Sequence, residues 1–258
     1  MNYTYTTSPI SKQGRFIHQP VDLQATEEGY LFEQGVAIPA YLEKTYWWAY
    51  VRPYAISFFD HEWIVNLILL GNMAKLRDTA LDALGSAIHG RTLQIACVYG
   101  DFSARLVERI AEGSSLDIVD VVPAQLQNAH RKLSPSDQVR LLQKDSASLN
   151  KIEDATYDQA ILFFLLHEMP ANVRERTLSE ALRVLKPGGK LVIVDFHKPT
   201  ALNPFRYLYP PMFRLLEPFA LDIWSESIQQ WLPKDFVPAE ITRETLFGDL
   251  YQKVVIRK

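Results

Sequence analysis

Two carboxylates have the spacing of a nucleoside site. Asp120 closes the apolar run from Ser115 to Val121 and lies about twenty residues beyond the loop holding Gly100. An acid there can accept hydrogen bonds from both hydroxyls of a ribose; its plainer reading is a charge ahead of the helix that Pro123 begins. Asp145, followed by Ser146, sits just past Val139 to Gln143, where a carboxylate and a backbone amide can read an adenine edge, or where an ordinary turn aspartate can sit. His167 and Glu168 directly follow the apolar residues Ile161 to Leu166, which suits proton transfer or metal binding. Neighbours on a strand face opposite ways, so a role for one is expected over a site shared by both. A strand-end histidine is also often only a satisfied polar group, and His197 has the same two readings. Tyr99 is the other candidate base. Cys97, the one cysteine, is expected to pack beneath the loop rather than act as a catalytic thiol.

These residues need a frame that brings them to one edge. From Arg91 onward short apolar runs alternate with helical patterns: strands at Thr92 to Cys97, Ser115 to Val121, Val139 to Gln143, Tyr157 to Leu166 and Lys190 to Phe196, with helices at Ser103 to Ala111, Pro123 to Leu133 and Ala171 to Leu185. Such alternation predicts an α/β, doubly wound sheet. Ligands then sit beyond the carboxyl ends of the strands, which selects Tyr99, Gly100, Asp101, Asp120, Asp145, Phe163, Phe164, His167, Glu168 and His197. Leu185 to Lys190 contains Pro-Gly-Gly, read as a helix stop with glycine at the cap. Thr242 to Leu246 and Tyr251 to Ile256 are read as an antiparallel pair closing the sheet.

Outside that frame the texture changes. Residues 1–30 read as a disordered tail and 31–89 as a helical cap, crowded with aromatics from Tyr46 to Trp63. Pro53 is expected to begin a new helical turn, and Asn66 to Leu84 to run on as one helix. Residues 90–258 form the sheet domain, interrupted at 198–238 by a second aromatic, proline-punctuated insertion over the active edge.

Composition excludes several classes. A net charge of -3 without a dense Lys/Arg cluster gives no field for nucleic acid, so a small-molecule substrate is expected. No run is long enough to cross a bilayer, and the first residues, with only Lys12 and Arg15 as charges and no apolar core, do not read as a secretory leader. One cysteine leaves no intramolecular disulfide and fits a reducing compartment.

With Leu93 to Asp101, Asp120, Asp145, Tyr157-Asp158 and Arg183-Val184-Leu185-Lys186-Pro187-Gly188-Gly189 assembled, the chain resembles the class I S-adenosylmethionine-dependent methyltransferases, over about residues 90 to 197. The resemblance implies their Rossmann-like fold with a seven-stranded sheet. Asn66 to Gly71 is similar to a pattern of the ubiquinone/menaquinone methyltransferase branch. Gln94 to Asp101, Phe163 to Glu168, Asp60 to Trp63 and Leu216 to Asp222 more closely resemble the rhodoquinone biosynthesis family (RquA). That resemblance implies conversion of ubiquinone to rhodoquinone, a ring methoxy group being replaced by an amino group from S-adenosylmethionine, with a divalent metal such as Mn2+ assisting. Carried onto this chain, it implies cofactor contacts at Gln94, Ala96, Val98, Tyr99, Gly100, Asp101, Asp120, Val121, Asp145, Ser146 and Phe163, and catalysis at Tyr99 and His167. Its metal ligands have no spacing-defined motif. Gln94 replaces an acid that would hold the cofactor's ammonium, and Ala96 and Val98 replace glycines, so the loop departs from the methyltransferase pattern. A lipid-soluble quinone implies peripheral contact with a membrane, from the cytoplasmic side of a bacterial inner membrane or the matrix side in a mitochondrion. The alternatives are a quinone or small-molecule methyltransferase with a drifted loop, and an inactive scaffold for quinone enzymes.

Overall fold

The structure, a computed structural model, describes residues 36–258; the expected tail at 1–30 lies outside the described residues. At its centre is a seven-stranded sheet of order β3-β2-β1-β4-β5-β7-β6. The strands are β1 (Arg91–Ile95), β2 (Ser115–Asp120), β3 (Val139–Gln143), β4 (Tyr157–Phe163), β5 (Leu185–Phe196), β6 (Glu240–Leu246) and β7 (Tyr251–Arg257). The first five pair in parallel and β7 runs antiparallel to both β5 and β6. Leu93, Ile95, Ala160, Ile161, Leu162, Val192, Ile193 and Val194 are fully buried, the near-continuous apolar runs that parallel strands covered on both faces require. Four helices connect or flank these strands: α4 (Met73–Leu84), α5 (Phe102–Val107), α6 (Pro123–Lys132) and α7 (Ala171–Val184). Successive strands step outward from β1 to β3, then the chain returns to place β4 on the other side of β1. The crevice beyond β1 and β4 is therefore the topological switch point, and the candidate residues surround it. This is the doubly wound α/β sheet expected from the alternation, with the seven strands that the resemblance implies.

Two local expectations are corrected. The Pro-Gly-Gly segment does not cap α7 with glycine: the helix ends at Leu185, already extended (φ -76°, ψ 139°), and β5 begins there. Leu185 pairs with Tyr157 and Lys190 with Gln159, so the intervening residues bulge out of the ladder. A Cβ on Gly189 would lie 2.9 Å from the Lys186 carbonyl oxygen and 3.0 Å from that of Asp158, so close backbone approach is the glycine's role. The α7 carbonyls are capped instead by Lys258, whose Nζ donates to Leu182 O (2.8 Å) and Leu185 O (2.7 Å).

Nor is Asn66 to Leu84 one helix. α3 (Glu62–Ile68) ends where Leu70 and Gly71 turn left-handed (φ 54° and 78°), and α4 starts afresh at Met73. The Asn72 amide stops the helix by donating to Leu69 O (3.1 Å) and Leu70 O (3.0 Å).

The cap comprises α1 (Ala40–Thr45), a π-turn (Trp47–Val51), α2 (Pro53–Phe59) and α3, with Pro53 opening α2 as expected. Residues 198–238 carry α8 (Phe205–Leu216), α9 (Ala220–Ser225) and a 3-10 turn (Ile228–Trp231). α8 is helical straight through Pro210-Pro211. Tyr209 and Phe213, four residues apart on one face, are buried against Phe196 at the end of β5 (ring centroids 6.1 and 5.1 Å), and that packing outweighs the lost backbone bonds. Cap and insertion meet where Phe219 packs on Tyr41 and Tyr46. Arg174 of α7 lies fully buried beneath, donating to Leu166 O (2.9 Å), Met169 O (2.8 Å) and Phe219 O (3.2 Å), its guanidinium 4.1 Å from the Trp231 ring.

Candidate functional site

The loop after β1 keeps the backbone of a glycine-rich turn without its glycines. Ala96 is left-handed (φ 72°), and its amide donates to Val119 O (2.9 Å). That conformation costs an alanine about 1 kcal/mol. Ala96→Gly is accordingly expected to raise Tm by about 2 °C in differential scanning fluorimetry, an unchanged or lower Tm excluding strain at this position.

Asp120, Gln94 and Lys132 all hold the backbone of the loop. Asp120 accepts the Cys97 amide at Oδ2 and the Val122 amide at Oδ1, each at 2.8 Å. Burial pushes its carboxyl up to about 6 despite those bonds. Gln94 is buried under the loop, its amide nitrogen donating to Ala96 O (2.9 Å) and Ser103 Oγ (2.8 Å), while its Oε1 is buried without a partner. Lys132, at the end of α6, crosses the loop: its Nζ donates to Val98 O (3.3 Å), Gly100 O (2.8 Å) and Asp60 Oδ1 (2.5 Å), and the same Asp60 oxygen accepts the Gly100 amide (3.0 Å). Asp60 stands at the end of α2, so loop and cap share one clamp.

Several sequence expectations change here. Tyr99 is not placed as a base: it donates its proton to Ala49 O (2.7 Å), accepts Gln125 Nε2 (2.9 Å), and its ring lies between Tyr50 (5.8 Å) and Phe59 (6.4 Å). Burial holds that hydroxyl far above its ordinary range, and the residue anchors the cap. Asp101 pairs with Arg77 (2.5 Å) and Arg105 (3.1 Å), which outweigh burial and hold its carboxyl low; this is an ion pair rather than an open ligand. Phe163 is core, stacked on Phe102 at 4.3 Å. Asp145 Oδ1 accepts the Ala147 amide (2.9 Å), Ser146 Oγ meets Thr177 Oγ1 (3.1 Å), and Val121 O accepts Gln143 Nε2 (3.3 Å), so these residues build the turns beyond β2 and β3. Burial pushes the Cys97 thiol up, as packing beneath the loop requires. His197 is spent on Asp249 O (2.9 Å).

His167 has a partner that sequence reasoning missed. A 3-10 turn (Leu166–Glu168) after β4 lays its Nδ1 2.9 Å from Asp195 Oδ1. Asp195 is fully buried in β5 and also accepts the amides of Leu166 (2.8 Å), His167 (3.3 Å) and Phe196 (2.7 Å). Burial alone would lower the imidazole, but the Asp195 charge and hydrogen bond push it up to about 9. The Asp195 pairing therefore favours the protonated form of His167, against the expected role as a base. The available signal was Asp195 itself, a carboxylate inside the apolar run of β5, which must find partners.

Glu168 lies beside it, Oε1 3.9 Å from His167 Nε2, and faces Tyr50 of the π-turn. Glu217, from the turn between α8 and α9, faces Tyr46; the Tyr46 hydroxyl and Glu217 Oε2 are both buried without closing a hydrogen bond. Burial raises both glutamates, and each lies in the field of the His167 and Asp195 charges. Among the described residues no three His, Cys, Asp or Glu side chains come together to hold a metal ion, so the donor set does not fit the expected Mn2+.

The comparisons agree with this architecture. The profile of the ubiE/COQ5 methyltransferase family matches residues 59–237. A demethylmenaquinone methyltransferase of Bacillus licheniformis is 25% identical over 172 residues, 67% of this chain and 72% of that protein. One from Staphylococcus aureus is 24% identical over 166 residues, 64% and 67% of the two chains. Among solved structures, the N-methyltransferase NodS of Bradyrhizobium japonicum superposes with a TM-score of 0.53 at 15% identity, over 72% of this chain and 95% of its own. An O-methyltransferase family protein of Burkholderia thailandensis gives 0.54 at 15% identity, over 79% and 62%. These two likenesses are of fold alone. With a profile spanning α3, α4, the five parallel strands and the insertion, about two thirds of the chain, the chain belongs to the ubiE/COQ5 methyltransferase family, within the class I S-adenosylmethionine-dependent superfamily.

Proposed function

We propose that this protein takes nitrogen from S-adenosylmethionine and places it on a ubiquinone ring in exchange for methoxy, making rhodoquinone. The observation that carries this reading is Gln94. A neutral amide stands beneath the loop where an acid would favour the ammonium form, so the site removes the charge that would keep the amine protonated. Its amide nitrogen already occupies Ala96 O, and its unpartnered Oε1 fits an amine N–H donor. Asp120 is the candidate ribose acceptor. When bound, S-adenosylmethionine supplies the nucleophilic nitrogen; the chain's task is to orient it, exclude water beneath the cap and manage one proton. Family membership favours a second reading, methyl transfer to a quinone.

The test is mass spectrometry of quinone recovered after incubating the purified protein, with and without manganese, with ubiquinone and S-adenosylmethionine labelled with nitrogen-15 at its amino group. Label in a quinone that has lost methoxy supports amino transfer. A methylated acceptor without label restores the methyltransferase reading, and no product with no bound cofactor returns the scaffold.

A lipid-soluble substrate also needs a docking face, and the reading assigns it to a membrane surface met peripherally by the cap. Tyr54 and Phe58 on α2, and Trp63 and Leu67 on α3, are two pairs spaced four apart, all more than half exposed. Arg52, its guanidinium 4.4 Å from the Trp47 ring, adds a cation for lipid head groups. Among the described residues no helix is long and apolar enough to cross a membrane. The Trp63→Ser, Leu67→Ser double variant is expected to weaken co-sedimentation with anionic liposomes at least about tenfold, since each side chain contributes about 1 kcal/mol or more when buried. Unchanged partitioning would exclude this face.

A further inference from the structure

We infer that Glu168, tuned by Glu217 of the insertion, carries the proton between the incoming amine and the departing methoxy oxygen. The inference rests on the amino-transfer reading above.

Four parts of the chain converge to make this possible. β5 supplies Asp195, whose carboxylate is fixed by three backbone amides and by His167. The turn after β4 supplies His167 and Glu168, the insertion supplies Glu217, and the cap supplies Tyr46 and Tyr50. His167 is the less open of the two neighbours: it is buried, its Nδ1 is held by Asp195, and the rings of Phe164 and Phe196 stand edge-on to it at 6.0 and 4.9 Å. Glu168 is the more exposed of the two neighbours, at 12% of its side chain. From the cap Tyr41, Tyr46 and Tyr50 face it, from the loop Tyr99, beside it His167, from β5 Asp195 and from the insertion Glu217. Tyr46 is wholly buried with its hydroxyl unpartnered, aimed at Glu217.

Asp195 and His167 neutralise each other, which leaves two carboxyls in one desolvated space. Burial raises both carboxyls and the Glu217 charge raises Glu168 further, so the pair favours holding a proton. A carboxyl poised in that way both accepts and returns a proton, which is what amine-for-methoxide exchange asks for. Nitrogen bonds to the ring carbon and loses one proton to Glu168; the ring C–O bond breaks, and the same proton leaves on methoxide as methanol, with the nitrogen still joined to the methionine α-carbon. Amino-quinone is then released by elimination: that N–C bond breaks as a proton leaves the adjacent methionine carbon, and the nitrogen takes up a proton. No electrons are gained or lost in this exchange, and no oxidant is needed.

The test follows the rate of labelled amino-quinone formation against pH in the full-length protein. Glu168→Gln is expected to lower the rate about 10²–10³-fold, with S-adenosylmethionine affinity by calorimetry within about threefold of wild type. Glu217 raises Glu168, so Glu217→Gln is expected to move the low-pH limb of the profile down by about one pH unit, whatever its effect on the maximum rate. Tyr46→Phe, close in shape, removes a group that favours ionised Glu217 and is expected to move the limb the same way by less. Amino-quinone formed by wild type together with an active Glu168→Gln, or with unmoved limbs in both other variants, overturns the relay alone. A methylated, unlabelled product from wild type overturns the amino-transfer reading and the relay with it.

Discussion

Asp195→Ala is expected to lower Tm by about 10 °C at pH 6 and by much less at pH 10. The residue is fully buried, and four donors end on it: the amides of Leu166, His167 and Phe196, and His167 Nδ1. Breaking such a buried pair by removing one partner costs about 3–5 kcal/mol, and a domain of this size loses about 2–4 °C per kcal/mol. The pH dependence identifies the charged partner. His167 rises from an ordinary 6.5 to about 9 in the fold, so its contribution is complete below pH 6.5 and is lost as pH climbs through 9. The wild type therefore destabilises over that window, and the variant, with nothing to hold the imidazolium, does not. Scanning fluorimetry at pH 6 and pH 10 reads both effects. An equal Tm loss at the two pH values would show that His167 is neutral, and the imidazolium assignment would fall.

Asp120→Ala is expected to weaken S-adenosylmethionine binding about 10²–10³-fold. Two hydrogen bonds from ribose hydroxyls to a charged acceptor contribute about 1.5 kcal/mol or more each, and tenfold in affinity is about 1.4 kcal/mol. The loop suffers as well, because the Cys97 amide loses its acceptor. Burial pushes this carboxyl up to about 6, so the folded protein ionises it at a cost that ligand hydroxyls would offset. Wild-type affinity is accordingly expected to be flat above about pH 7 and to fall as pH drops below about 6. Calorimetry at pH 5.5 and 7.5 distinguishes this from a structural aspartate: a variant binding within threefold of wild type would remove Asp120 from the cofactor site.

The sheet was legible because each parallel strand is a bounded apolar run; Val139–Gln143 was located to the residue. The Pro-Gly-Gly bulge was not, since a helix stop and a strand bulge use the same residues and differ only in which neighbour they pair with. The carboxyl ends of the strands picked out a set of neighbouring residues around the switch point. Which groups there are spent on structure was hidden, because Tyr99, Asp101 and His167 meet partners 24 to 50 positions away, at Ala49, Arg77 and Asp195. Glu217 was legible only as part of the Leu216 to Asp222 motif, without a role: its place follows from how α8 and α9 pack, with Phe219 seated on the cap tyrosines.

The fully buried Arg174 has one more consequence. Its guanidinium holds carbonyls on both sides, Leu166 and Met169 of the turn and Phe219 of the insertion, with Trp231 over its face. Neither segment can detach without stranding a charge in the interior. In hydrogen–deuterium exchange the amides of residues 166–169 and 219–231 should therefore exchange as one cooperative unit, and the insertion should move with the sheet edge rather than as a separate flap.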